Sequence, residues 1–212
     1  MTQSTNSLGF IHQYQPGSGT LTLLLLHGTG GDETALLSVG RALAPNANLL
    51  SPRGRVPEGT QNRFFRRLRE GVFDIEDLIA RAGELAEFVT AASAEYGFDP
   101  RRVVGVGYSN GANMAGALLL LHPGTLAGAV LLRPMVPLEP ETPPDLTRIP
   151  VLITAGRFDE LVPVEQVDAL AALLTRYGAD VTLRWENVGH GLAQAEFEDA
   201  RAWLAELFPE PT

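Results

Sequence analysis

Apolar residues in this 212-residue chain gather in short unbroken runs, separated by longer stretches where they recur every three or four positions. The runs fall at 21–26, 47–51, 102–106, 127–132, 151–155 and 181–185, with a more polar candidate at 10–15. Leu23-Leu24-Leu25-Leu26 and Val151-Leu152-Ile153 read as strands covered on both faces. Helical spacing occupies 34–43, 75–96, 112–121, 164–177 and 193–207. This alternation predicts an α/β fold in three layers, a mostly parallel sheet with helices on both faces. Residues 1–212 read as one domain.

Boundary residues support the pattern. Asp74 precedes Ile75-Glu76-Asp77 as a helix cap with acidic groups in the first turn. Gly97 after Tyr96 and Gly178 after Tyr177 read as helix stops. Residues 134–150 contain six prolines and predict an irregular surface loop.

Val103-Val104-Gly105-Val106 runs straight into Gly107-Tyr108-Ser109-Asn110-Gly111, and a helix rich in small residues follows. A serine in Gly-x-Ser-x-Gly between strand and helix is the sequence form of a nucleophile elbow. The turn leaves no room for bulk two residues before or after the serine. This context predicts a covalent acyl-enzyme on Ser109.

A serine hydroxyl needs a base, and the base needs a group that fixes its tautomer. Both are expected at carboxyl ends of later strands. Run 151–155 leads into Gly156-Arg157-Phe158-Asp159-Glu160, and run 181–185 into Gly189-His190-Gly191. Of four histidines, His12 reads as a surface residue and His122 as a helix-end residue. His27 opens a glycine-rich loop, which leaves His190 as the candidate base, with flanking glycines that allow close loop approach. Asp159 is the candidate acid; adjacent Glu160 is not separated from it by spacing, whereas Asp145, Asp168 and Asp180 are poorly placed. The order Ser109, Asp159, His190 is that of an α/β-hydrolase. Oxyanion donors are expected from Asn110, which follows the serine, and from Thr29 in Gly28-Thr29-Gly30-Gly31.

Composition removes several alternatives. All 16 basic residues are Arg, so a Schiff-base lysine is impossible, and there is no Cys for a thiolate nucleophile or metal site. The formal charge of −9 argues against a nucleic-acid partner. The spacing of a dinucleotide loop and paired metal-binding histidines are both lacking, so no cofactor or metal is expected. The N-terminus lacks the features of a signal peptide, and no apolar run is long enough for a membrane span. A cytoplasmic location is expected. A dehalogenase or epoxide hydrolase would need Asp where Ser109 stands, and a non-catalytic binding protein on this fold would typically have lost part of the constellation.

These residues, together with Ser51-Pro52-Arg53-Gly54, Arg63-Phe64-Phe65 and Ala112-Asn113, resemble the α/β-hydrolase superfamily over nearly the whole chain. More narrowly they resemble the small bacterial carboxylesterase/phospholipase family, related to acyl-protein thioesterases and dienelactone hydrolases. The subgroup resembled is the hydrolases associated with hydroquinone or aromatic-compound stress operons. Dienelactone hydrolases use a cysteine nucleophile, which this chain lacks. The resemblance implies Ser109, Asp159 and His190 as the triad, Thr29 and Asn110 as oxyanion donors, and homodimerisation. It implies hydrolysis of small or aromatic carboxylic esters; thioesterase and lysophospholipase activities would share the same triad. Only residues 133–149 stand where larger members insert a cap, so a minimal cap and a shallow site are expected. Six arginines between 53 and 69 read mainly as a loop pinned by carboxylates such as Glu70 and Asp74, and secondarily as recognition of an anionic or aromatic acyl group.

Overall fold

The computed structural model describes residues 5–210. Its core is an eight-stranded sheet. In chain order the strands are β1 (Thr5–Ser7), β2 (Phe10–Gln15), β3 (Thr22–Leu26) and β4 (Asn48–Pro52), then β9 (Val103–Tyr108), β10 (Gly128–Leu132), β11 (Pro150–Gly156) and β12 (Asp180–Glu186). Two small hairpins lie between β4 and β9: β5 (Val56–Glu58) with β6 (Gln61–Arg63), and β7 (Arg67–Arg69) with β8 (Val72–Phe73). The sheet order is β1-β2-β4-β3-β9-β10-β11-β12. β1, β2 and β4 pair antiparallel in succession, and the pairs from β4 to β12 are parallel.

Helices α1 (Leu37–Leu43), α2 (Ile75–Tyr96), α3 (Asn110–Leu121), α4 (Val164–Arg176) and α5 (Gln194–Leu207) cover both faces. Strand alternation divides the core between them. Leu24, Leu26, Val103, Ala129 and Leu131 pack with α2, α3 and α4. Their neighbours Leu23, Leu25, Val104, Val106, Val130 and Leu132 pack with α1 and α5. Runs that looked uniformly apolar therefore serve two cores, one residue to each in turn.

The sequence boundaries hold closely. Asp74 caps α2 by accepting from the Asp77 amide at 3.1 Å, and Gly97 closes it at φ 74°. Three expectations change. His12 is fully buried: Nδ1 bonds the Phe10 carbonyl at 2.9 Å, Nε2 meets the Tyr96 hydroxyl at 2.6 Å, and the ring packs on Phe88. A polar strand therefore hid a buried residue whose partners come from a distant helix. The proline-rich segment is irregular, but its first half turns inward, with Pro134, Met135, Pro137 and Leu138 buried. Segment 53–73 contains the two hairpins, whose strands of two or three residues are too short to carry a detectable alternation. Among the described residues, no helix is long and apolar enough to cross a membrane.

Candidate active site

β3 and β9 are neighbours, and the chain passes to opposite sides of β3 as it makes β4 and then β9. Such a switch opens a crevice at the carboxyl ends of the strands. The expected residues collect there. Thr29 follows β3, Ser109 follows β9, Asp159 follows β11 and His190 follows β12.

Ser109 sits in the elbow with φ 52° and ψ −113°, a conformation costing a non-glycine residue about 1–3 kcal/mol. Its amide bonds the Leu132 carbonyl at 2.8 Å, and its carbonyl accepts from Asn113 as α3 begins. A Cβ on Gly107 would lie 2.4 Å from the Gly111 oxygen, and one on Gly111 would lie 2.0 Å from the Leu26 oxygen. Both glycines are thus required by close backbone packing against the elbow.

The Ser109 hydroxyl lies 3.1 Å from His190 Nε2, and His190 Nδ1 lies 2.8 Å from Asp159 Oδ2. The second contact implies an Nδ1–H that donates to the carboxylate, which leaves Nε2 to accept from the serine. The Asp159 side chain is almost fully buried, and its Oδ1 accepts from the Leu161 and Val162 amides at 2.8 and 3.0 Å. Asp159 thus orients His190 and caps its own turn. Glu160, the alternative, is exposed.

His27 has a different role. Its Nδ1 bonds the Gly28 carbonyl at 2.7 Å, and its Nε2 accepts from the Gly54 amide at 2.9 Å. Burial holds this imidazole below its ordinary pKa against smaller opposing effects of the Gly28 carbonyl, Asp32 and Glu33. It is a neutral bracket between two loops.

In the loop after β3, the Gly30 amide bonds the Asn62 carbonyl and the Gly31 amide bonds the Gly28 carbonyl. Thr29 and Asn110 line one cavity together with Ser109 and His190. The Asn110 amide belongs to the first turn of α3, where N–H groups have no partner within the helix. The Asn110 side chain is fixed because Oδ1 accepts from the Phe64 amide at 2.7 Å. The cavity is about 350 Å³, with Phe73, Tyr108, Met135 and Val162 as apolar or aromatic wall. Among the described residues, no cluster of His, Asp or Glu is arranged to hold a metal ion.

Sequence reading passed over Arg133. It follows β10 at φ 59°, and its side chain is fully buried. Its guanidinium donates to the Gly189 carbonyl at 3.2 Å and the Gly191 carbonyl at 2.7 Å, on either side of His190. A bidentate pair with Glu196, at 2.5 and 2.8 Å, balances the charge. Burial alone would raise the Glu196 carboxyl. Hydrogen bonds from Arg133, the Ala193 amide and Thr154 outweigh that and hold it below the usual range. The Tyr108 hydroxyl donates to the His190 carbonyl at 3.1 Å. A lone charge ending an all-apolar strand was the available signal. The loop is also packed tightly, though not at the glycines beside His190: a Cβ on Gly156 would meet the Gly189 oxygen at 2.3 Å, whereas one on Gly191 would meet nothing within 4 Å.

The sequence profile of the phospholipase/carboxylesterase family matches residues 15–208. MhqD of Bacillus subtilis (strain 168), named as a hydrolase, is 46% identical over 92% of this chain and 98% of its own. A carboxylesterase from Bacillus cereus superposes with a TM-score of 0.93 at 44% identity, covering 96% of this chain and 97% of that one. A Mesorhizobium loti carboxylesterase gives 0.92 at 36% identity, covering 96% and 98%. By profile, by sequence and by fold, the chain belongs to the phospholipase/carboxylesterase family of α/β-hydrolases and is a carboxylesterase-type hydrolase.

Proposed function

We propose that this protein cleaves small carboxylic esters through an acyl-enzyme on Ser109. His190 takes the serine proton on Nε2 as the hydroxyl oxygen attacks the ester carbonyl, and Asp159 stabilises the resulting imidazolium. The Thr29 and Asn110 amides receive the negative oxygen of the tetrahedral intermediate. His190 then returns the proton to the departing alcohol. A water deprotonated by His190 attacks the acyl-serine, and the acid leaves as Ser109 recovers its proton.

The observation that carries this reading is the unbroken line from Ser109 through His190 to Asp159, with contacts of 3.1 and 2.8 Å, opening on a cavity. The cavity's volume, about 350 Å³, is near the small end of ligand sites and favours small acyl groups over long lipid chains.

Hydrolysis of p-nitrophenyl acetate by the wild type and by Ser109→Ala tests the proposal. The substitution is expected to lower kcat by roughly four to six orders of magnitude. A variant that keeps a tenth of the activity or more would place the nucleophile elsewhere.

A further inference from the structure

The arginines of segment 53–69 do not behave alike. Four hold carboxylates: Arg53 with Glu33, Arg55 with Glu84, Arg66 with Asp74 and Arg67 with Glu58. Arg69 is exposed to water. This is the pinned loop expected from the sequence, although Glu70 is not among the ion-pair partners of the described residues. Arg63 fits neither group. It is only 3% exposed, yet no described carboxylate forms an ion pair with it.

Its guanidinium bonds two neutral oxygens. Nε donates to the Phe65 carbonyl at 3.1 Å, and Nη1 donates to the Thr29 hydroxyl at 2.6 Å. These contacts use two of five N–H donors. Nη2 has no protein partner among the described residues and is not sealed from solvent. The space that Arg63 lines is the cavity holding Ser109 and His190. Burial, reinforced by nearby Arg67, pushes the guanidinium below its ordinary pKa, against a smaller opposing effect of Glu58, which Arg67 itself holds in a bidentate pair.

A largely buried cation compensated only by two neutral oxygens and the Phe65 ring, 5.6 Å away, is still costly, and a carboxylate is its best-matched partner. The other ionised groups around the cavity do not meet that need. Glu58 is held by Arg67, Glu196 by Arg133 and Asp159 by His190, and Glu70 is exposed. We propose that Arg63 is a carboxylate-binding residue and that the substrates are esters bearing a free carboxylate, such as half-esters of short dicarboxylic acids. The Nη1 bond to Thr29 puts this anion site beside the loop expected to supply an oxyanion donor, so only a few bonds separate the carboxylate from the scissile carbonyl. The substrate class rests on Ser109 being the nucleophile; the anion site itself does not.

Binding and turnover separate these two claims. In Ser109→Ala, monomethyl glutarate is expected to bind at least about tenfold more tightly than neutral methyl valerate, the advantage of a charged hydrogen bond. Arg63→Gln should abolish that advantage, and Arg63→Lys should retain part of it. In the otherwise wild-type enzyme, Arg63→Gln should lower the kcat/KM ratio of monomethyl glutarate to methyl valerate by a similar factor. Equal binding of the two esters would overturn the proposal, as would an equal loss of kcat/KM for both, which would make Arg63 only a prop for Thr29. Arg63-dependent binding of the half-ester without hydrolysis of either ester would uphold the anion site and defeat the reading of Ser109.

Discussion

Arg133 Nη2 donates to the carbonyl of Gly191 at 2.7 Å, so a buried cation rooted after β10 grips the loop that presents His190. Glu196 neutralises that cation from α5. Removing either member leaves an uncompensated buried charge and is expected to cost about 3–5 kcal/mol in urea unfolding. The double variant Arg133→Met/Glu196→Leu should recover much of that stability, because neither charge remains. It should not recover ester hydrolysis, since the Gly189 and Gly191 carbonyls stay unheld. Recovery of activity along with stability would reduce Arg133 to a purely structural role.

His27 gives the fold a pH dependence of definite sign. Burial lowers its folded-state pKa, while the unfolded chain titrates at about 6.5. Below that value the unfolded state takes up a proton that the fold resists, so this stability is present above the unfolded pKa and is lost on acidification. His27→Gln keeps a donor and an acceptor for Gly28 and Gly54 without titrating. The stability difference between wild type and His27→Gln, from urea unfolding, should be larger at pH 7.5 than at pH 5.5. A difference that grows on acidification would contradict the assignment.

Two glycines near His190 should respond unequally to alanine. At Gly156 the new Cβ would meet the Gly189 carbonyl oxygen at 2.3 Å, so backbone must move. At Gly191 nothing lies within 4 Å. Gly156→Ala is expected to reduce both melting temperature and hydrolysis, and Gly191→Ala to stay within about 0.5 kcal/mol of wild type.

Asp159 and Glu160 are separated by burial and contacts, not by spacing. Asp159→Asn should lower kcat by about four orders of magnitude through loss of the correct His190 tautomer. Glu160→Gln, at an exposed side chain, should leave turnover almost unchanged. Steady-state kinetics on an aryl ester distinguishes them, and the reverse ranking would reassign the acid.

What the sequence disclosed was governed by how local the cause is. Strand runs, the Asp74 cap, the Gly97 stop and the elbow at Ser109 depend on neighbours in the chain. Ser109 and His190 meet where chain order and strand ends anticipated, and Asp159 joins them, chosen over Glu160 by burial and contacts. Features made by long-range contact escaped. His12 is buried because Tyr96 and Phe88 reach it from α2. Arg133 matters because Glu196 lies 63 residues away. The arginines of segment 53–69 are alike in sequence, and only the positions of Glu33, Glu58, Asp74 and Glu84 set Arg63 apart.

Covalent labelling reads out directly whether Ser109 is the activated nucleophile. A fluorophosphonate incubated with the intact protein should add one adduct, which peptide mass spectrometry places on Ser109, and His190→Ala should slow the labelling sharply. Absence of an adduct, or an adduct on another residue, would rule out Ser109 as the nucleophile.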